Sequence, residues 1–263
     1  MTAHFETGSG WRQRWTRLVA KVEVVQTAQA EEKLLAHLSQ PNKPFVLAFV
    51  NAHAMNSVAV SEKFFNAVMS ADVLLRDGIG MSILLRLLKL PPGRNLNGTD
   101  LIPKILGKFA GRPLALFGTR DPYLMQAQEA VVADIAPTSP CLTADGFLDT
   151  PTYIHLAAAN RPCVIVLGMG MPRQEDVAVG LRVALGYPCL IICGGAIIDF
   201  LGKKTPRAPL WMRSTGLEWL FRLALEPKRM FIRYVIGNPL FMARALILAF
   251  NARGRPPAQQ AEP

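Results

Sequence analysis

Three features of this 263-residue sequence predict a doubly wound α/β domain followed by a helical appendage. Short apolar runs recur along the chain, each ending at glycine or a polar residue. Segments with helical apolar spacing separate them. After Gly202 the strand-like runs stop, and arginine, tryptophan and proline accumulate. Such alternation builds a mostly parallel sheet covered by helices on both faces, because parallel strands need helical crossovers.

The elements follow in order. Residues 1–24 are weakly patterned, and the first ten read as mobile. Ala28–Leu38 places Leu34, Leu35 and Leu38 on one helical face. Pro44–Val50 (PFVLAFV) suits a buried parallel strand ending at Asn51. Residues 57–69 read as a helix and 71–75 as a strand ending at Arg76-Asp77-Gly78. Residues 81–90 form an apolar helix stopped by Pro91-Pro92. Residues 99–109 form another, with Pro103 in its first turn. The run 113–118 (PLALFG) is a strand, followed by a helix over 122–135. Residues 163–168 (CVIVLG) and Cys189–Cys193 (CLIIC) are further strands. The α/β domain is expected over 25–202 and a helical appendage over 203–250. Breaks are expected at Pro206, Pro209, Pro227 and Pro239, with a disordered tail over 251–263. Ligands in such sheets bind outside the carboxyl ends of the strands. Here those ends carry Asn51, Asp77-Gly78, Gly118-Thr119, Asp145-Gly146, residues 168–174 and Gly194-Gly195.

Composition excludes several classes. Apolar residues make up 51% and charged residues 18%, enough for a sizeable core and against wholesale disorder. Four cysteines, at 141, 163, 189 and 193, form no Cys-x-x-Cys pair, which argues against a zinc finger or a disulfide scaffold. They read as reduced, buried thiols of a cytosolic protein. The net charge is +10. Residues 202–263 hold 11 Lys/Arg against 3 Asp/Glu, whereas residues 1–201 hold 18 against 16, so the basicity belongs to the C-terminal quarter. Phosphate-rich partners follow: nucleic acid, anionic lipid or a diphosphate substrate. No secretory signal is visible, and no run of about 20 residues is cleanly apolar. The best run, 183–201, is punctuated by Gly186, Pro188, Gly194, Gly195 and Asp199. The chain is therefore expected not to span a membrane.

Several motifs fail on inspection. Residues 168–173 (GMGMPR) begin like a dinucleotide fingerprint, but Arg173 stands at the third glycine. Gly78-Ile79-Gly80 fails in the same way at Ile83. Six residues separate Gly195 from Gly202-Lys203 where a P-loop has four. No Gly-x-Ser-x-Gly elbow is present. The absence of Asp-x-Asp removes the usual divalent-metal handle for a nucleotide sugar.

Others offer chemistry. Asp77 is a carboxylate just past a buried strand, beside two glycines that let a substrate approach. It suits a general base, and equally an Asx-turn or helix cap. Asn97-Gly98-Thr99-Asp100 is a turn with a helix cap, whose free amides could bind phosphate or sugar. Gln174 and Glu175 could read a base or ribose edge. His53 follows a strand end and suits a cleft wall. Arg207, Arg213, Arg222, Arg229 and Arg233 suit a diphosphate clamp, because guanidinium pairs bidentately with phosphate. The apolar run 239–250 (PLFMARALILAF), with one charge at Arg244, suits the membrane interface or a packed helix.

Four blocks together resemble the WecG/TagA/CpsF glycosyltransferase family, glycosyltransferase family 26. They are Asp77-Gly78-Ile79-Gly80; Asn97-Gly98-Thr99-Asp100-Leu101; residues 167–175 (LGMGMPRQE); and a long stretch from Gly194-Gly195-Ala196 through Asp199-Phe200, Arg207-Ala208-Pro209, Gly216-Leu217-Glu218-Trp219, Arg222-Leu223 and Glu226-Pro227 to Arg233-Tyr234. The resemblance covers about residues 20–245. It implies a Rossmann-like sheet and an inverting, metal-independent transferase without a cofactor. Such an enzyme moves a sugar from a UDP-sugar to a polyprenyl-diphosphate-linked sugar in surface polysaccharide synthesis. It would be peripheral on the inner face of the plasma membrane, possible as a homo-oligomer, and would bind no nucleic acid.

The resemblance makes Asp77 the general base. It places Gln174 and Glu175 at the nucleotide side, and assigns the appendage arginines to acceptor diphosphate and membrane. Asn51, His53, Gly78, Asn97, Gly98, Thr99, Asp100, Gly118, Gly168, Gly194, Gly195 and Asp199 complete the expected substrate and nucleotide site. One departure stands out. The family often has Thr-x-Asn after the first main strand, and here it is Phe49-Val50-Asn51. A phenyl ring replaces a hydroxyl, which removes a polar contact and points to a different sugar. The alternative reading is a non-catalytic, membrane-associated nucleotide-sugar-binding protein of the same fold. Removal of residues 203–263 is expected to abolish transfer and leave a folded core.

Overall fold

In the computed structural model, which describes residues 10–253, six apolar runs form one all-parallel sheet. They are Pro44–Val50 (β1), Val73–Arg76 (β2), Leu114–Gly118 (β3), Cys141–Ala144 (β4), Val164–Gly168 (β5) and Cys189–Cys193 (β6). Their order is β2-β1-β6-β5-β3-β4. The register pairs Leu47 with Val73 on one side of β1 and with Ile192 on the other. Side chains alternate between faces, as the pleat requires. Val46, Ala48 and Val50 enter one core layer, Leu47 and Phe49 the other. The sheet is thus the Rossmann-like α/β architecture that the sequence predicts. The edge strand β4 escapes a sequence reading because it has four residues, of which only Ala144 is fully buried.

Helices cover both faces. In chain order they are Gly10–Lys21 (α1), Ala28–Leu38 (α2), Ala52–Val60 (α3), Glu62–Met69 (α4), Gly78–Leu87 (α5), Gly98–Gly107 (α6), Tyr123–Ala130 (α7), Thr150–Asn160 (α8), Arg173–Ala184 (α9) and Ile197–Leu201 (α10). A π-helical turn over Val131–Ile135 extends α7. Local chemistry sets several boundaries. The expected helix over 57–69 is two helices. The Ser61 N–H closes α3 onto Ser57 O, and its Oγ accepts from Phe64 N at the start of α4. Helix α1 lies in the segment read as weakly patterned. Trp15, Leu18, Val19 and Val22 nevertheless have helix-face spacing and are buried, and the Trp15 indole donates to Met55 O at 2.8 Å. Interleaved arginines mask that stripe in the sequence.

The C-terminal quarter is all helical: Leu210–Ser214 (α11), Glu218–Leu225 (α12), Pro227–Phe231 (α13), a π-helical turn over Ile232–Ile236, and Gly237–Arg253 (α14). Pro239 does not break the chain as expected. It sits in the first turn of α14, just after the π-helical turn, where its missing N–H costs no regular bond. Helix α14 runs to Arg253, past the expected end at 250. The remainder of the expected tail, and residues 1–9, lie outside the described residues.

Helix α14 is also part of the domain core. Phe241, Ala245 and Leu248 are buried in the same cluster as Trp15, Met55 and Met81, and the Phe241 ring lies 5.5 Å from the Trp15 ring. Only α11–α13 and the π-helical turn lie over the sheet ends with little burial. The expectation that no run is long and apolar enough to cross a membrane needs correction. Pro227–Ala252 is 26 helical residues with a mean hydropathy of 1.4 over its best window, enough by length and composition.

Candidate functional site

The carboxyl ends of the strands open into a cleft of about 970 Å³, roofed by α12, α13 and the turn after it. Asp77 lies on its floor. Its backbone N–H bonds to Val50 O at 2.8 Å, extending the β1–β2 ladder by one residue. Asp77 stands at the N-cap of α5, yet its side chain makes no capping bond. The carboxylate instead accepts from Asn51 and faces Arg233, Arg222 and Arg76. Burial raises its pKa above the ordinary value, with the Asn51 bond and the three arginines pulling the other way. Asn51 serves two elements. Its Oδ1 caps α3 by accepting from Ala54 N at 3.0 Å, which leaves its amide group for Asp77.

The other predicted residues divide between lining and scaffold. Asn51, His53, Gly98, Thr99, Gly168, Gln174, Gly194, Gly195 and Asp199 line the cleft with Asp77, as do Arg222, Arg229 and Arg233. Gly78, Asn97, Asp100, Gly118, Glu175, Arg207 and Arg213 do not line it. Asn97 caps α6, with its Oδ1 accepting from Asp100 N at 2.9 Å. Asp100 holds Arg207 at 2.8 Å and Arg213 at 3.7 Å, so these two arginines tie the appendage to α6. Gly118 is a packing residue, because a Cβ there would meet Gly168 backbone at 2.6 Å.

Gln174 and Glu175, expected together at the nucleotide side, are both fully buried. The Gln174 Nε2 donates to Glu175 Oε1, and its Oε1 accepts from Gly195 N, each at 2.8 Å. The pair therefore braces the β6–α10 turn from beneath. Burial pushes the Glu175 carboxyl up to about 7, although the Gln174 bond opposes it.

The cleft is rich in cations. Arg222 stacks over Phe200, with the guanidinium carbon 5.4 Å from the ring centre. Arg229 pairs with Glu226 at 2.7 Å. The Nε atoms of Arg222 and Arg233 are buried without a hydrogen-bond partner. Burial lowers His53 to about 4, and the nearby Arg233 adds to this, so its ring is neutral at pH 7. Asp199 binds Lys204 at 3.1 Å, and Lys204 also reaches Thr119 Oγ1 at 3.2 Å. Phe49 presents its ring to the cleft beside Gly98.

The lining also includes residues outside the predicted set, among them Arg120, Phe147, Arg173, Lys204 and Arg244. Arg120 lies over the Phe147 ring at 4.1 Å and pairs with Asp145 at 3.3 Å. Arg120 and Phe147 each follow a strand end, which was the available signal. Arg244 was visible as the lone charge of an apolar run. It bonds Asn56 Oδ1 at 2.9 Å, while Asn56 donates to Gly237 O at 2.7 Å. This clasp joins α3 to α14. Among the described residues, no group of three or more His, Cys, Asp or Glu is placed to hold a metal ion.

The model of the glycosyl transferase WecG/TagA/CpsF family matches residues 16–255. A protein of Bacillus subtilis (strain 168) named N-acetylglucosaminyldiphosphoundecaprenol N-acetyl-beta-D-mannosaminyltransferase is 27% identical over 192 residues, covering 70% of this chain and 73% of its own. A protein of the same name from Staphylococcus aureus (strain NCTC 8325 / PS 47) is 24% identical over 232 residues, covering 86% of each chain.

Proposed function

Because this chain belongs to the WecG/TagA/CpsF glycosyl transferase family, we propose that it transfers a sugar from a UDP-sugar to a polyprenyl-diphosphate-linked sugar, with inversion and without a metal. The observation that carries this reading is the Asp77 carboxylate. It is released from helix capping, sits on the cleft floor and faces Arg222 and Arg233. A general base needs this placement, within reach of the hydroxyl it deprotonates.

In the proposed reaction the acceptor hydroxyl attacks the anomeric carbon of the donor. Asp77 takes the hydroxyl proton, and the bond to the UDP oxygen breaks on the opposite face. The UDP leaves with the bonding electrons, and the configuration inverts. Arg222 and Arg233 neutralise the charge that develops on the diphosphate. Both line the cleft, which supports this, since fixed cations placed where charge develops need no reorganisation. His53, neutral beside Arg233, adds no competing charge.

The names of the relatives make N-acetylmannosamine the first sugar to test on the proposed UDP donor and N-acetylglucosaminyl-diphosphoundecaprenol the first acceptor. The exposed Ile232 and Ile236 line the basic cleft, and Leu220 and Phe231 are exposed on the helices that roof it. That combination supports peripheral docking on an anionic membrane, where a lipid-linked diphosphate would be presented.

The test is UDP release from a panel of UDP-sugars, with a polyprenyl-diphosphate-linked N-acetylglucosamine in detergent, with and without EDTA. Acceptor-dependent release that survives EDTA and is lost in Asp77→Asn supports the reading. Release that requires a divalent metal, or that survives in Asp77→Asn, overturns it.

A further inference from the structure

Arg76 is the last residue of β2 and is buried. A buried guanidinium is costly unless its donors are satisfied. Here its partners are neutral oxygens, three from one loop and a fourth, Gly78 O, that Nη1 reaches at 3.5 Å. The Nε donates to Pro92 O, Nη2 to Gly93 O at 2.7 Å, and Nη1 to Asn95 Oδ1 at 3.2 Å. Asn95 Oδ1 also accepts from Gly78 N, again at 3.2 Å. Gly78 has φ +80°, a left-handed conformation, and opens helix α5.

These contacts fix the peptide that follows Asp77. The first amide of α5 is satisfied by Asn95, a residue 17 positions away, instead of by a local side chain. The same oxygen is fixed from the other side by Arg76. One planar fork thus grips the 92–95 loop and, through it, the peptide that follows Asp77. A point charge on a flexible stem would not hold three acceptors in this geometry.

We propose that Arg76 is a positioning residue: through Asn95 and the carbonyls of Pro92 and Gly93 it holds the Asp77–Gly78 turn so that the Asp77 carboxylate points into the cleft. This rests on the reading of Asp77 as the base. The charged and polar groups facing that carboxylate are Asn51 at the end of β1, Arg222 and Glu218 from α12, Arg233 from the turn before α14, and Arg76 itself.

The experiment compares wild type, Asn95→Ala, Arg76→Lys, Arg76→Met and Asp77→Asn as full-length proteins in detergent. It measures kcat, donor KM and the pH dependence of kcat with UDP-N-acetylmannosamine and a polyprenyl-diphosphate-linked N-acetylglucosamine. Asn95 is exposed, so Asn95→Ala is expected to fold, with an unchanged melting temperature as the check. Displacing a reacting group by a fraction of an ångström to an ångström costs about tenfold to a hundredfold. Asn95→Ala and Arg76→Lys should each lose about tenfold in kcat, with donor KM within about twofold of wild type. Both keep the charge, so the acid limb of their profiles should stay in place. Arg76→Met removes a charge that favours ionised Asp77, so its acid limb should move to higher pH. Wild-type kcat in both Asn95→Ala and Arg76→Lys, with Asp77→Asn inactive, overturns the role of Arg76 alone. Turnover retained in Asp77→Asn overturns the base assignment and the role of Arg76 with it.

Discussion

Asp77 shows how surroundings set the properties of one side chain. Its pKa is raised by burial against the pull of Asn51 and the arginines. A base acts when ionised, so activity should fall as pH drops through this raised value. The acid limb of kcat should therefore lie above the ordinary carboxylate range, and a limb at or below that range would argue against Asp77. Asp77→Asn should lose about 10²–10⁴ in kcat while retaining UDP binding by calorimetry. Glu175 carries a different prediction. Its folded-state value of about 7 exceeds the ordinary 4.5, so the unfolded chain loses its proton first as pH rises. Stability should then decline by roughly 3 kcal/mol between those two values and level off above them. Glu175→Gln keeps the acceptor for Gln174 and removes the titration. Thermal melts at pH 5 and pH 8 should show the variant gaining relative to wild type only at the higher pH.

At the scale of elements, the C-terminal helices divide by what they bury. Helix α12 buries no residue fully, whereas α14 places Phe241 and Ala245 in the core. The expectation that cutting at 202 leaves a folded core therefore changes: such a cut strips the cover from Trp15, Met55 and Met81. Phe241→Ala should cost about 3–5 kcal/mol in denaturant unfolding, as for other fully buried aromatics. The ion pairs of Asp100 with Arg207 and Arg213 work differently. They tie the segment leading into α12 to the N-terminus of α6. Partly exposed pairs contribute about 1 kcal/mol or less to stability. Asp100→Ala should therefore leave the melting temperature nearly unchanged, while transfer falls because the segment carrying Arg222 is no longer anchored. Equal transfer in the variant would show that the tether does not matter for the site.

Across the whole molecule, the excess positive charge and several exposed apolar residues belong to the same C-terminal segment. The C-terminal 62 residues carry a balance of +8 of the total +10. The exposed Phe231 and Ile232 belong to this segment. Full-length protein should float with vesicles containing anionic lipid, bind neutral vesicles less, and lose binding as salt rises through the range that screens surface charge. Binding unaffected by salt and lipid charge would assign the contact to the apolar residues alone. The run 227–252 is long enough to cross a bilayer. A crossing, however, would require Phe241 and Leu248 to leave a core that already buries them.

The sequence by itself determined the alternation of strands and helices, because burial on both faces makes parallel strands continuous apolar runs. It also located Asn51, Asp77 and Gly194 at strand ends, where ligands bind. It left Asp77 open between cap and base, since the two differ only in where the carboxylate points. Tertiary structure decided where it points: into the cleft, with no capping bond, toward Asn51 and the arginines. It likewise turned Arg207 and Arg213 toward Asp100, buried Gln174 and Glu175 as a brace, and joined α14 to the core. Each of these depends on contacts between residues far apart in the chain, and neither spacing nor composition records which distant partner a side chain meets.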